Sequence, residues 1–218
     1  HVIEHAWDLG GFMEGVTELT KDNGIVVIEI PDCEKGFMNN MQTLIWEEHY
    51  SYFTEETIIS TMKYYGYNVE RVIRYEKKLE DSIVLILSKY NKPDIYRTDD
   101  KTVARSQSML RKYTKGIRNK KKDIENRITR LTNEGYTLVL FGAGHYASTF
   151  LAMNNISRNI KCAIDDNCNK IGRHVPGSNV NIEHSSILKD IKSAYVITTT
   201  NPENSSGIKE VIKKINPD

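Results

Sequence analysis

The sequence has few cysteines, no long apolar run and no dominant sign of charge, and each shortage removes a class of protein. Cys33, Cys162 and Cys168 are odd in number and at no framework spacing, which argues against a disulfide-stapled secreted scaffold. The 162/168 pair lacks the second pair that a structural zinc site needs, so reduced thiols in a cytoplasmic protein are expected. No apolar stretch approaches the roughly 18–20 residues that span a bilayer. The opening residues carry Glu4, His5 and Asp8, unlike a signal peptide. Thirty Lys and Arg against 29 Asp and Glu leave a net charge of +1, so nothing global demands nucleic acid or a membrane surface. An initiator methionine is also lacking, and the first residue already stands inside a motif. The expectation is that an N-terminal portion precedes His1.

What is present divides the 218 residues into an α/β chain of three segments: 1–90, 91–134 and 135–218. Leu9, Phe12, Met13, Val16 and Leu19 recur at helical spacing, with Gly24 as the expected stop. "IVVIEIP" is β-branched and bounded by Gly24 and Pro31, which predicts a buried strand. Residues 32–54 read as irregular. Thr54 then caps a helix running to Gly66, and "YNVERVIRY" and "DSIVLILSKY" predict an antiparallel pair. "NKPDIYRTDD" is the expected linker. Lys101 to Glu134 follows as one helix with Val103, Leu110, Ile117, Ile124 and Leu131 on a seven-residue column. That stripe packs on its own domain or serves a homodimer. Gly116 weakens its middle, and "RNKKKD" reads as a solvated face. From residue 135 strands alternate with helices, which predicts a Rossmann-like parallel sheet.

Four constellations could carry chemistry. His1-x-x-Glu4-His5 has the frame of a zinc protease, in which a helix sets two imidazoles on one face. It has no flanking turns and no convincing third ligand, so no metal site is expected. Gly142-x-Gly144-x-x-Ala147 follows a strand and opens a helix, as a dinucleotide fingerprint does, with Asp165 and Asp166 placed for a ribose. An empty compact turn is the alternative. Lys170 and Arg173 add cations on the next loop, at the sheet edge where α/β ligands bind; surface charges on a capped turn are the alternative. "LIWEEHYSYFT" sets His49 among Trp46, Glu47, Glu48, Tyr50 and Tyr52, a setting for a general base or for a packed structural histidine. If that stretch is extended, Glu47 and His49 share a face and Glu48 points away.

Taken together, "HVIEH", "VIEIP", "EEHYSYFT", "FGAG" and "DDNCNKIGRHVPG" resemble the S-adenosylmethionine-dependent sugar C-methyltransferase family along the whole chain. The resemblance implies a truncated class I methyltransferase sheet, then the long helix and a Rossmann-like C-terminal domain. It implies a nucleotide-linked sugar substrate bound between the last two domains, His49 as general base and Glu48 beside it. Trp46, Tyr52, Ser82, Gly142, Gly144, Asp165, Asp166, Lys170 and Arg173 would then line the substrate site. His1 and His5 would border S-adenosylmethionine. The rest of that cofactor's site, and the family's zinc-bearing domain, would precede His1, so the chain alone should not transfer methyl groups. Two departures stand out. Trp46 occupies the place of a family tyrosine, and Leu79–Ser82 keeps only the serine of a His-Gly-Gly-Ser turn. A related O- or N-methyltransferase and a non-catalytic nucleotide-binding module are the alternatives.

Overall fold

The computed structural model describes residues 1–77, 80–89 and 98–216. It divides into two compact units, His1–Gly116 and Ile117–Asp218, with the boundary inside a long helix. Both units are mixed α/β, as the sequence predicts.

The first unit opens with a 3-10 turn at Ile3–His5 and then α1 (Leu9–Leu19), capped by Asp8, which accepts the Gly11 N–H at 3.1 Å. The predicted stop at Gly24 is not used. The helix ends at Leu19, where Thr20 Oγ1 donates back to the Val16 carbonyl at 2.6 Å, and Gly24 closes a separate turn onto Lys21. Leu19, expected on the apolar face, is 90% exposed.

β1 (Ile25–Asp32), β2 (Tyr67–Tyr75) and β3 (Asp81–Lys89) form a sheet in the order β1-β3-β2. β3 runs antiparallel to both neighbours, so β1 and β2 are mutually parallel. The expected antiparallel pair is therefore present. β1 is not the buried strand that its composition predicts. Among the described residues it is an edge strand, with Ile25 and Val27 exposed and only its last residues, Ile30 to Asp32, buried. Between β1 and β2, where irregular chain was expected, stand α2 (Glu34–Met38) and a 3-10 turn at Gln42–Leu44. Thr54 caps α3 (Glu55–Tyr64) through a reciprocal box with Thr57, and Gly66 takes the left-handed stop at φ +82°. Ile30, Ile58, Met62, Ile83, Leu85 and Leu87 are the centre of the core.

Of the predicted linker, residues 91–97 lie outside the described residues. α4 (Asp100–Asn133) runs unbroken through Gly116. A Cβ at Gly116 would collide with the Asn40 side chain, so the glycine is a seat for Asn40 as well as a weak helix former. In the first unit the buried face is not the predicted column. Val103 and Leu110 are exposed, and Tyr113 is buried instead, its hydroxyl donating to the Met41 carbonyl at 2.9 Å. In the second unit the column does turn inward, with Leu131 buried beside Ile128.

The second unit continues with β4 (Thr137–Phe141), α5 (His145–Asn154), β5 (Ile160–Ile164), β6 (Ile182–Glu183), β7 (Ala194–Thr198) and α6 (Ser205–Ile215). Its four strands are parallel in the order β6-β5-β4-β7. The order reverses at β4, so the switch point of the sheet, where ligands of such sheets bind, lies at the carboxyl ends of β4 and β7. Between β6 and β7 the connection is a 3-10 segment, Ser185–Asp190.

Candidate active site

In the first unit, two short segments close on each other. Residues 46–49 form a turn, with the His49 N–H on the Trp46 carbonyl at 3.1 Å, so this stretch is not extended. The face-sharing expected of Glu47 and His49 therefore does not apply. Both glutamate side chains of the turn are exposed. The Glu48 carbonyl instead accepts His5 Nδ1 at 2.9 Å. A carbonyl can only accept, so Nδ1 carries the hydrogen and the neutral His5 ring keeps its lone pair on Nε2.

The Glu4 carbonyl accepts two amides from the same loop, Tyr50 at 2.9 Å and Ser51 at 3.1 Å. These bonds bring Glu4, His5 and His49 together, with one ligand-type atom of each within 4.8 Å of the others. The His5 and His49 rings meet edge to face at 4.7 Å, and Trp46 stacks on His49 at 5.5 Å. A carboxylate from a distant segment, that of Glu4, thus stands close to His49.

Glu4 is 1% exposed. Its Oε1 lies 3.2 Å from His1 Nδ1, while Oε2 is buried without a hydrogen-bond partner among the described residues. Tyr52 is committed to the loop itself: its hydroxyl donates to the Trp46 carbonyl and accepts the Trp46 N–H, each at 3.0 Å. Burial raises the Tyr52 pKa, opposed by that bond.

Leu79 of the departing turn lies outside the described residues. Ser82 is buried at the start of β3, where it accepts Lys77 Nζ at 2.9 Å. Next to it stands an ionic network that sequence reading did not find. Arg74 holds buried Asp32 and, at 2.7 Å, Glu55, and Lys35 holds Asp81 at 3.0 Å. Burial and then the charge of Glu80 push the Cys33 thiol up to about 12, so it is an unreactive core group.

The second unit places its candidates around the glycine turn. Gly142 has φ +106°, and a Cβ there would lie 2.5 Å from Thr200 Cγ2 and 2.8 Å from the Thr199 carbonyl. Gly144 is extended at the start of α5, with nothing within 4 Å of a Cβ, so the fold does not demand glycine there. The Ala143 N–H between them donates to Asp165 Oδ2 at 3.1 Å, and the same oxygen accepts Lys170 Nζ at 2.7 Å. Asp165 Oδ1 accepts the Asn167 N–H at 3.0 Å. A carboxylate of the chain therefore takes the donor that a phosphate would seek. Burial opposes this ionisation, but the Lys170 ammonium and the two amides hold the Asp165 pKa below its usual 3.8.

Asp166 accepts the Ser185 N–H at 2.9 Å, and the Arg173 side chain is exposed. Thr199, a further missed residue, locks the turn by donating to the Gly142 carbonyl at 2.6 Å. Only its place after an apolar strand could have pointed to it. No helix among the described residues is long and apolar enough to cross a membrane.

A family model described as the C-methyltransferase C-terminal domain matches residues 91–201, just over half of the chain. The match begins before the long helix, which it joins to the Rossmann-like unit. No curated protein matches the chain significantly.

Proposed function

Because the chain belongs to the C-methyltransferase family through its C-terminal domain, we propose that it is part of an S-adenosylmethionine-dependent enzyme acting on a nucleotide-linked sugar. The observation that carries this reading is the convergence of His49, His5 and Glu4 in a unit whose strand order, β1-β3-β2, suits the last strands of a class I methyltransferase sheet. His49 takes the proton from the carbon beside the sugar's keto group, and the electron pair left behind forms the enolate. The buried Glu4 carboxylate stabilises the imidazolium that results. Trp46 stacks on His49 and restricts its ring, but supplies no hydroxyl to the enolate oxygen.

S-adenosylmethionine, when bound, supplies the electrophilic methyl group. Among the described residues the first unit holds no glycine-rich strand-turn-helix for that cofactor, so only His1 and His5 are assigned to its border. Glu48 serves through its backbone carbonyl, which orients His5. A second reading, nucleotide binding without catalysis, is favoured by the open space at Gly144.

The test is turnover of nucleoside-diphosphate sugars by the full-length protein, with the methylated atom identified by NMR. His49→Gln should lower kcat by roughly 10²–10⁴. Unchanged turnover in that variant, or a methyl group on oxygen or nitrogen, would sink the C-methylation mechanism.

A further inference from the structure

The geometry points to a binding site for a divalent cation of the zinc class, formed by Glu4, His5 and His49. The three donors lie within 4.8 Å of one another, and they come from two segments that backbone hydrogen bonds already hold together. A zinc-class ion holds its ligands at about 2.0–2.2 Å, so modest side-chain closure around it completes the site. Three features of the cluster favour an ion.

His5 is oriented as metal-binding histidines are. Its Nδ1–H is spent on the Glu48 carbonyl at 2.9 Å, which leaves the Nε2 lone pair to ligate. Glu4 has a buried oxygen, Oε2, without a hydrogen-bond partner among the described residues, an unfavourable state that a cation would relieve. His5 is exposed and His49 half-buried, so an ion can enter from solvent.

Two imidazole nitrogens and one carboxylate oxygen select a borderline first-row ion over calcium or magnesium, which prefer oxygen throughout. Three protein ligands leave a coordination position open. The arrangement differs from the protease frame of the sequence. His1 Nδ1 lies 3.2 Å from Glu4 Oε1 but is not part of the cluster, in which His49 takes the place that the frame would give to it. Ion binding does not rest on the methyl-transfer reading. Under that reading, ion and proton compete for His49.

Co²⁺ titration of the 218-residue chain tests the site through the visible bands of low-coordinate cobalt. One equivalent should produce them. His5→Gln and His49→Gln should each weaken binding at least about tenfold, while Cys168→Ser and His184→Gln leave it unchanged. Absent bands, bands indifferent to His5→Gln and His49→Gln, or bands lost in Cys168→Ser would overturn the assignment. A melting comparison separates misfolding from ligand loss: Zn²⁺ should raise Tm of the parent more than Mg²⁺ does, and Glu4→Gln should abolish the difference. An equal Zn²⁺ shift in Glu4→Gln would exclude Glu4 as a ligand. None of these readouts depends on methyl transfer.

Discussion

Each unit places a carboxylate at its candidate site, and the two are treated in opposite ways. Asp165 is fully used: two amides and a lysine ammonium surround it, and its charge completes the turn after β4. Glu4 is more deeply buried yet keeps one oxygen without a hydrogen-bond partner among the described residues. Its charge, after loss of surrounding water, raises the pKa of Glu80, although Glu80 keeps an exposed flank. Satisfied charge stiffens a scaffold, and unsatisfied charge waits for a ligand or a proton. The contrast leaves the carboxylate of the glycine turn as part of its loop's own bonding, whereas Glu4 suits the chemical role proposed for it.

The comparison breaks most visibly at the glycines. Gly142→Ala should destabilise the second unit by about 2–3 kcal/mol, because a left-handed residue gains a Cβ against Thr199 and Thr200 and the Ala143 amide loses its aim at Asp165. Gly144→Ala should stay within about 0.5 kcal/mol in the same denaturant titration. Equal losses would mean that the turn is not held as described.

Amide substitutions at the two carboxylates come next. Asp165→Asn should cost about 1–2 kcal/mol, since it removes the charge facing Lys170 and places an NH₂ where only acceptors fit. Glu4→Gln should be neutral or stabilising by up to about 1 kcal/mol, and it should move the Glu80 titration toward its ordinary range in NMR. A large loss from Glu4→Gln would show that Glu4 is structural after all.

The smallest effect is the response to acid. The pKa of Asp165 is depressed, so its contribution is present above the usual 3.8 and is lost as pH falls through the lower folded value. That of Glu80 is raised, so its contribution is full below the usual 4.5 and is lost as pH rises through the higher folded value. Mild acidification should therefore strengthen the first unit and leave the second unchanged, as read by amide exchange resolved by unit. Stronger acid then weakens both, because, against burial, the Lys77 amide and the Lys35 ammonium hold the Asp81 pKa down as well. The same sign in both would remove the contrast.

Local chemistry was legible in the sequence, and convergence was not. The Thr54 cap, the Gly66 stop, the β2–β3 pair and the glycine turn all follow from residues near one another in the chain. α2 is only five residues long, too short to display a period. The apolar run of β1 reads as buried because composition shows a strand's apolar faces but not which neighbours cover them. Val103 and Leu110 have the right spacing and the wrong phase, since Asn40 at Gly116 and Tyr113 at Met41 fix which side of α4 turns inward. Each candidate residue type was visible, but the closeness of His49 and Glu4 was hidden by their separation in sequence.

The carbonyl of Glu4, holding the amides of both Tyr50 and Ser51, works with the His5–Glu48 bond to fasten the loop to the first turn. Long-range contacts of this kind close late in folding, after nearby elements have formed. They also open early, because the loop they fasten is short and partly exposed. When that loop turns away, His49 parts from both Glu4 and His5 at once.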